Sequence, residues 1–339
     1  MEHKKIKSLG MNKKSKYGIY KKQKKIVAIG DLHGDMLKLL SVLISSKLIK
    51  KKNPYQKCIL VKDYSINNWI WTGENTYLVQ VGDIFDGGGR KEIDTFKDYE
   101  VEIYKFLIGL KKLALEKGGN VILVIGNHEL MNFDHNFNYV QESAMKKCLV
   151  LKNKDFNYIS LNKPCNHRRK LFEIPNGPLA KSMYHHMKGV VKIGSNIFCH
   201  AGLTYNIASS YSIKTMNKLL RLYLANKLNK KAYNKFKHIY KDKNAVVWYR
   251  GYVQNPTTCN DFYKTLDILS ADRMIVGHTV QNTGIREYCD DKALYADKVL
   301  YAIDVGLSRA FTTKIQCQYL VIENDNNISK RICDVIYEC

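Results

Sequence analysis

Five short stretches gather the residues of this 339-residue chain that could do metal and proton chemistry together. They are Gly30-Asp31-Leu32-His33-Gly34-Asp35, Gly82-Asp83-Ile84-Phe85-Asp86-Gly87, Gly126-Asn127-His128-Glu129, Cys199-His200-Ala201-Gly202 and Gly277-His278-Thr279. Aspartate, histidine and asparagine offer oxygen and nitrogen donors suited to a borderline or hard divalent cation such as Mn, Fe or Zn. The donors outnumber what one ion takes. Two cations about 3.5–4 Å apart, sharing one bridging carboxylate, would use them all. Taken singly, an Asp after a strand is commonly a turn or helix cap, and a lone His a satisfied polar residue. That bland reading holds poorly for five stretches in one ordered set.

Each stretch follows an apolar run of strand type. Ile26-Val-Ala-Ile29 precedes Asp31, Tyr77-Leu-Val-Gln-Val81 precedes Asp83, and Val121-Ile-Leu-Val-Ile125 precedes Asn127. Asn196-Ile-Phe-Cys199 and Arg273-Met-Ile-Val276 lead into the two histidine motifs. Met36–Ile49 and Tyr99–Leu115 carry apolar residues at helical spacing, so the first half reads β, helix, β, helix, β. The second half adds strands at Leu300–Ile303, Tyr319–Ile322 and Ile332–Tyr337, with a largely helical stretch at Tyr211–Tyr240. In such sheets the strand ends along one edge converge on the ligand crevice. The lysine-rich segment 1–24 reads as a basic, flexible arm, and residues 25–339 as one domain with insertions near 50–75 and 132–182.

The ordered motifs GDLHGD, GDIFD, GNHE, CHAG and GHT resemble those of the calcineurin-like metallophosphoesterases, within them the phosphoprotein phosphatase branch. "VVWYRG" at 246–251 and "RMIVGHTVQ" at 273–281 are most similar to the bacterial-type group called Shewanella-like phosphatases. The resemblance implies an α/β, four-layer sandwich: two mixed β-sheets flanked by helices. It implies two divalent metal ions, with Asp31 and His33 on the first, Asp83 bridging both, and Asn127, His200 and His278 on the second. It implies His128 as general acid oriented by Asp86, and Arg250 as a phosphate contact. The chemistry would be phosphomonoester hydrolysis of phosphoproteins of the Ser/Thr type. A hydroxide held between two cations is a strong nucleophile near neutral pH and attacks phosphorus in line, while a histidinium protonates the departing alkoxide.

One position departs from the branch. Its pattern has Arg directly after the second aspartate, where this chain has Gly87. Arg90 lies three residues on, beyond a glycine run, and two readings stay open: a phosphate contact reached by the chain doubling back, or an ordinary surface arginine. A GHxH pattern, common in relatives that cut nucleotides, is absent because Val280 stands at its last position.

The net charge is +24, yet only nine of the 55 basic residues are arginine. Lysine spread evenly with asparagine fits a compositional bias better than a nucleic-acid surface, so nucleic acid is expected to bind non-specifically if at all. No apolar run reaches the ~18 residues of a membrane span. The nine cysteines form no CxxC pair, which with the absence of a visible secretory signal reads as reduced thiols in a cytoplasmic setting. The competing functions are a hydrolase of dinucleoside polyphosphates or other small phosphates on the same site, and a basic nucleic-acid-binding protein with a relict site.

Overall fold

The structure is a computed structural model that describes residues 15–53, 58–89, 99–145, 148–152, 157–161, 168–295, 297–311 and 317–338. Arg90 lies outside them.

Two six-stranded mixed sheets carry the fold. In the first, Lys25–Ile29, Tyr77–Gln80 and Asn120–Val124 are adjacent and parallel. Met187–Lys188 extends this sheet in parallel on one side, and the hairpin of Gln318–Glu323 with Asn327–Ile332 completes it on the other. In the second, Asn196–Cys199, Arg273–Val276 and Val299–Ala302 are adjacent and parallel. Val190–Ile193 and Arg286–Tyr288 flank that trio in antiparallel pairing. Helices cover the outside of both sheets. The Asn120–Val124 strand is buried at every position, which explains its uninterrupted apolar sequence.

A single hydrophobic core takes in both faces of the two sheets, with Val27, Leu78, Ile122, Ile197, Ile275 and Leu300 all essentially inaccessible. Asp35 caps the helix Met36–Ser45 by accepting from the Lys38 amide at 3.3 Å, and Arg309 grips the same carboxylate with Nε and Nη2 at 2.9 and 3.1 Å. The last aspartate of the first motif is thus a helix cap held by a distant arginine. Ser212 and Asn229 cap Ile213–Leu224 and Lys230–Tyr240, which account for the helical stretch expected there.

Three expectations change. Ile19–Tyr20 is a strand paired with Lys192–Ile193, so structure begins inside the 1–24 segment; residues 1–14 are outside the described set. The last strand is Asn327–Ile332 rather than Ile332–Tyr337. Its register pairs Glu323 with Asn327 across a turn whose Asn324 and Asp325 are left-handed. The mostly polar Asn327–Ile332 edge hides the strand from an apolar reading. Finally, the thiols are not uniformly reduced. Cys259–Cys289 and Cys317–Cys333 are disulfides, Cys58 is also disulfide-bonded, and Cys199 is free and buried. Cys317 and Cys333 are 16 apart in sequence. They meet because they flank the hairpin, where the Cys333 amide also donates to the Cys317 carbonyl at 2.8 Å. Linear spacing does not reveal such a pair.

Candidate active site

The five motifs occupy loops at the C-terminal ends of parallel strands, three from one sheet and two from the other. A sixth loop joins them: Asp304 follows Val299–Ala302 and is buried with the rest. Each sheet therefore contributes three adjacent parallel strand ends to one cleft.

Backbone and side-chain bonds stitch these loops across the gap between the sheets. The Leu32 and His33 amides donate to the Asp83 carbonyl at 2.9 and 3.0 Å. The His278 amide donates to both Asp31 oxygens at 3.0 and 3.2 Å. Glu129 accepts from the amides of Gly126, Asp83 and Ile84 at 2.6, 3.1 and 2.8 Å, so one buried carboxylate pins two loops. A Cβ on Gly126 or Gly277 would stand 2.1 Å from a carboxylate oxygen, of Asp83 and Asp31 respectively. Only glycine permits that approach. His33, Asp83, Asp86 and His278 all have left-handed backbone, with φ of 38°, 54°, 70° and 66°. Such conformations cost energy for residues with a Cβ and collect where function fixes the geometry.

Asp83 is the hub. Its Oδ2 lies 3.2 Å from His200 Nε2, 3.8 Å from His33 Nε2 and 3.9 Å from His128 Nε2. Ligand atoms of His33, Asp83 and His128 lie within 4.8 Å of one another, as do those of Asp83, His200 and His278. Asp31 stands 3.9 Å from His33, and Asn127 Oδ1 2.9 Å from His200 Nε2. The structure therefore brings together all six sequence-derived metal candidates. His200 Nδ1 faces the Val81 carbonyl at 2.9 Å, and His33 Nδ1 the Phe85 and Asp86 carbonyls at 3.0 and 3.1 Å. A carbonyl only accepts, so each Nδ1 donates, and Nε2 is the ring nitrogen turned toward Asp83, where it could take a metal. Metal-binding imidazoles are set in this way.

The electrostatics ask for positive charge. Burial, then the neighbouring carboxylates of Asp304 and Asp83, holds Asp31 well above the usual carboxylate range. Burial and Asp83 push Asp304 up to about 6 and Glu129 up to about 7. Burial would also raise Asp83, but the imidazoles of His200, His128 and His33 hold it well below the ordinary range. Burial, His200 and Arg250 depress His278, whose Nε2 is buried without a hydrogen-bond partner, as is Asp304 Oδ2. An orphaned imidazole nitrogen and an orphaned carboxylate oxygen facing a cluster of mixed donors fit divalent cations.

Beside the hub, His128 Nδ1 bonds Asp86 Oδ2 at 2.9 Å. Arg250 is half-buried, and its Nη1 donates to the His278 carbonyl at 2.7 Å and to Thr279 Oγ1 at 3.2 Å. The glycine run after Asp86 lies against the 132–182 segment. Gly88 donates to the Tyr139 carbonyl at 2.8 Å, and Gln141 Nε2 to the Gly87 carbonyl at 3.2 Å. This seats the Tyr139 ring 5.1 Å from that of His128.

Sequence reasoning passed over several buried residues here. Asp304 follows a strand already recognised, by the same spacing as Asp31, and could have been read. Glu129 stands inside a quoted motif without a role. Glu100, Asn132 and Arg168 carry no local signal, since nothing in their neighbourhoods resembles a site motif.

Comparison with known proteins agrees with this geometry. Residues 24–282 match the family model described as calcineurin-like phosphoesterase. The chain is 32% identical over 300 residues to Shewanella-like protein phosphatase 1 of Plasmodium berghei, covering 87% of this chain and 70% of that protein. It is 28% identical over 341 residues to Shewanella-like protein phosphatase 2 of Arabidopsis thaliana, covering 91% and 78%. A solved cold-active protein tyrosine phosphatase has a similar fold, with a TM-score of 0.65 at 21% identity over 92% of this chain and 80% of its own. No helix among the described residues is long and apolar enough to cross a membrane. The family model spans most of a chain whose buried carboxylates and imidazoles converge as metal donors, and the protein belongs to the calcineurin-like phosphoesterases, metal-binding hydrolases of phosphoric esters.

Proposed function

We propose that the protein hydrolyses phosphomonoesters on proteins, of the phosphoserine and phosphothreonine type. The observation that carries this reading is the buried His128–Asp86 pair beside the metal-donor cluster. Serine and threonine alkoxides are poor leaving groups and need a proton at departure, and an imidazole held by a carboxylate supplies one. Asp86 takes Nδ1, which leaves His128 Nε2 on the side of Asp83 as the donor atom.

Asp31 and His33 would hold one divalent ion, Asn127, His200 and His278 a second, and Asp83 both. Manganese, iron and zinc all suit this donor set. Bound there, the ions supply Lewis-acid charge toward phosphoryl oxygens and an activated water nucleophile. The residues themselves position the substrate. Arg250, tied to the His278 loop, presents its guanidinium for paired bonds to phosphate. Arg90, outside the described residues, is proposed as a second phosphate contact. The similarity to Shewanella-like protein phosphatases supports a phosphoprotein substrate.

A second reading has one observation in its favour. The half-exposed Tyr139 ring packs edge-on against His128, where an aromatic leaving group would stack, and a solved protein of similar fold is called a tyrosine phosphatase. The disulfides weigh against a reducing cytoplasmic setting.

A panel of phosphoserine, phosphothreonine and phosphotyrosine peptides, diadenosine tetraphosphate and nitrophenyl phosphate, assayed with Mn2+, tests these readings. The expected order puts phosphoserine and phosphothreonine peptides first in kcat/KM. A phosphotyrosine preference would select the second reading, and a dinucleotide preference would remove both.

A further inference from the structure

Asp86 is more tightly held than orientation of one histidine by one carboxylate requires. Its Oδ1 accepts from Arg168 Nη2 at 3.0 Å and from Asn132 Nδ2 at 2.8 Å, and Oδ2 accepts from His128. Its backbone amide donates to Glu100 Oε2 at 2.9 Å. Arg168 Nη1 bonds the other oxygen of Glu100, and Arg168 Nε donates to Asn132 Oδ1 at 2.6 Å. Asn132 Nδ2 also reaches the His128 carbonyl, one turn back on the same helix, at 2.9 Å. The guanidinium is 1% exposed and lies over the Phe172 ring at 5.2 Å.

These bonds close a ring through four separate segments: the Asp86 loop, the start of helix Glu100–Glu116, the helix Asn127–Phe133, and Arg168 from the 132–182 insertion. Arg168 spends Nε, Nη1 and Nη2 on three different partners. A planar, rigid fork makes three such bonds at once, whereas a lysine is a point donor. The ring fixes Asp86 by side chain and by main chain, in a left-handed backbone conformation that needs support. Because it is buried and committed inward, Arg168 has no route to a phosphoryl group.

We propose that Arg168 is a positioning residue that holds the Asp86 carboxylate in the orientation His128 needs to deliver its proton. The 132–182 insertion thereby supplies part of the acid machinery in a chain that lacks an arginine at position 87. The inference rests on the reading of His128 as proton donor.

The test compares Arg168→Met, Arg168→Lys and the double variant Arg168→Met/Glu100→Gln with His128→Asn and the native chain, each loaded with Mn2+ and its metal content measured. The double variant removes one buried carboxylate together with the guanidinium, and stands in if Arg168→Met does not fold. Arg168→Met is expected to lose about 10–100-fold in kcat on a phosphoserine peptide, part of the roughly 10²–10⁴-fold that a general acid contributes. On nitrophenyl phosphate, whose leaving group needs little proton help, it should lose only a few-fold. KM and metal content should stay near native, and Arg168→Lys should recover part of the loss. A readout without turnover is the downfield imidazole proton of the His128–Asp86 bond in metal-free protein. It should be present in the native chain, absent in His128→Asn, and lost or moved upfield in Arg168→Met.

Equal losses on both substrates, loss of metal, native kinetics or an unmoved proton signal would overturn the proposal. If His128→Asn shows the leaving-group signature and Arg168→Met or the double variant does not, the positioning role falls and the acid stands. If His128→Asn itself loses equally on both substrates, the acid reading falls and takes the positioning role with it.

Discussion

His128 and Asp86 are joined Nδ1 to Oδ2 at 2.9 Å, and the far nitrogen of the same imidazole lies 3.9 Å from Asp83 Oδ2. One ring thus faces an orienting carboxylate on one side and the metal-donor hub on the other. Two roles are compatible with that position, metal ligand and proton donor, and the carboxylate on Nδ1 favours the second by steadying an imidazolium. On the proposed reading Asp83 and Asp86, three residues apart, would divide the work between them.

His128→Asn separates the two roles. As proton donor, its loss should lower kcat about 100-fold or more on a phosphoserine peptide and far less on nitrophenyl phosphate, with metal content retained. Elemental analysis showing depleted metal would instead make His128 a ligand.

Asp83→Asn tests the hub. Its carboxylate lies within 4 Å of three imidazole nitrogens, and only the ionised form bridges two cations effectively. Most bound metal should be lost and activity should fall more than about 100-fold, beyond the effect of an outer-shell change. Full metal content with full activity would exclude the bridge.

The sequence discloses most of this site because its candidate metal donors sit at strand ends, where apolar runs and polar turns meet in a repeated pattern. Asp31, Asp83, Asn127, His200 and His278 all follow such runs within three residues, so chain order alone predicts their convergence. The pattern extends to Asp304, whose strand is legible but whose role emerges only from its approach to Asp31. Arg168 is different in kind. It reaches Asp86 across 82 residues from the short helix Arg168–Phe172, and no periodicity records a long-range buried ion pair. The same holds for Cys259 and Cys289, 30 residues apart. The hairpin edge Asn327–Ile332 escaped for a third reason: a solvent-facing strand carries polar residues and resembles a loop.

Removal of metal should expose the burial of Asp304 and its repulsion by Asp83 as a pH effect. Burial and Asp83 raise Asp304 to about 6, above the roughly 3.9 of an unfolded aspartate. A group raised in the folded state contributes stability that is fully present below its unfolded value and lost as pH rises through the folded one. In chelator, Asp304→Asn should therefore raise the Tm more at pH 8 than at pH 4.5. With metal bound, the carboxylate is neutralised and the pH-dependent advantage should vanish. An advantage independent of pH would mean that Asp304 does not titrate in this window.

The Cys317–Cys333 bond closes the hairpin that edges the first sheet. Chain entropy for a loop of this length gives about 3 kcal/mol, so Cys317→Ser/Cys333→Ser should lower unfolding stability by that order in denaturant titrations. Catalysis should be unaffected, since among the described residues no hydrogen bond joins either cysteine to a site loop. Alkylation and mass measurement of the native chain without reductant should find this pair blocked. Free thiols at both positions would remove the disulfide.

Arg250 is the remaining candidate for phosphate. Among the described residues its hydrogen bonds run through Nη1, to the His278 carbonyl and Thr279. A guanidinium carries five N–H donors, so Nη2 and Nε would be available for a paired contact with a phosphoryl group. Arg250→Ala should raise the inhibition constant for inorganic phosphate about tenfold or more, since a hydrogen bond to a charged group contributes about 1.5–3 kcal/mol. Arg250→Lys should recover only part, because an ammonium restores the charge without the planar fork. Metal content should remain native in both, which separates a phosphate contact from a prop for the His278 loop. Parallel loss of metal and phosphate affinity would assign Arg250 to the loop instead.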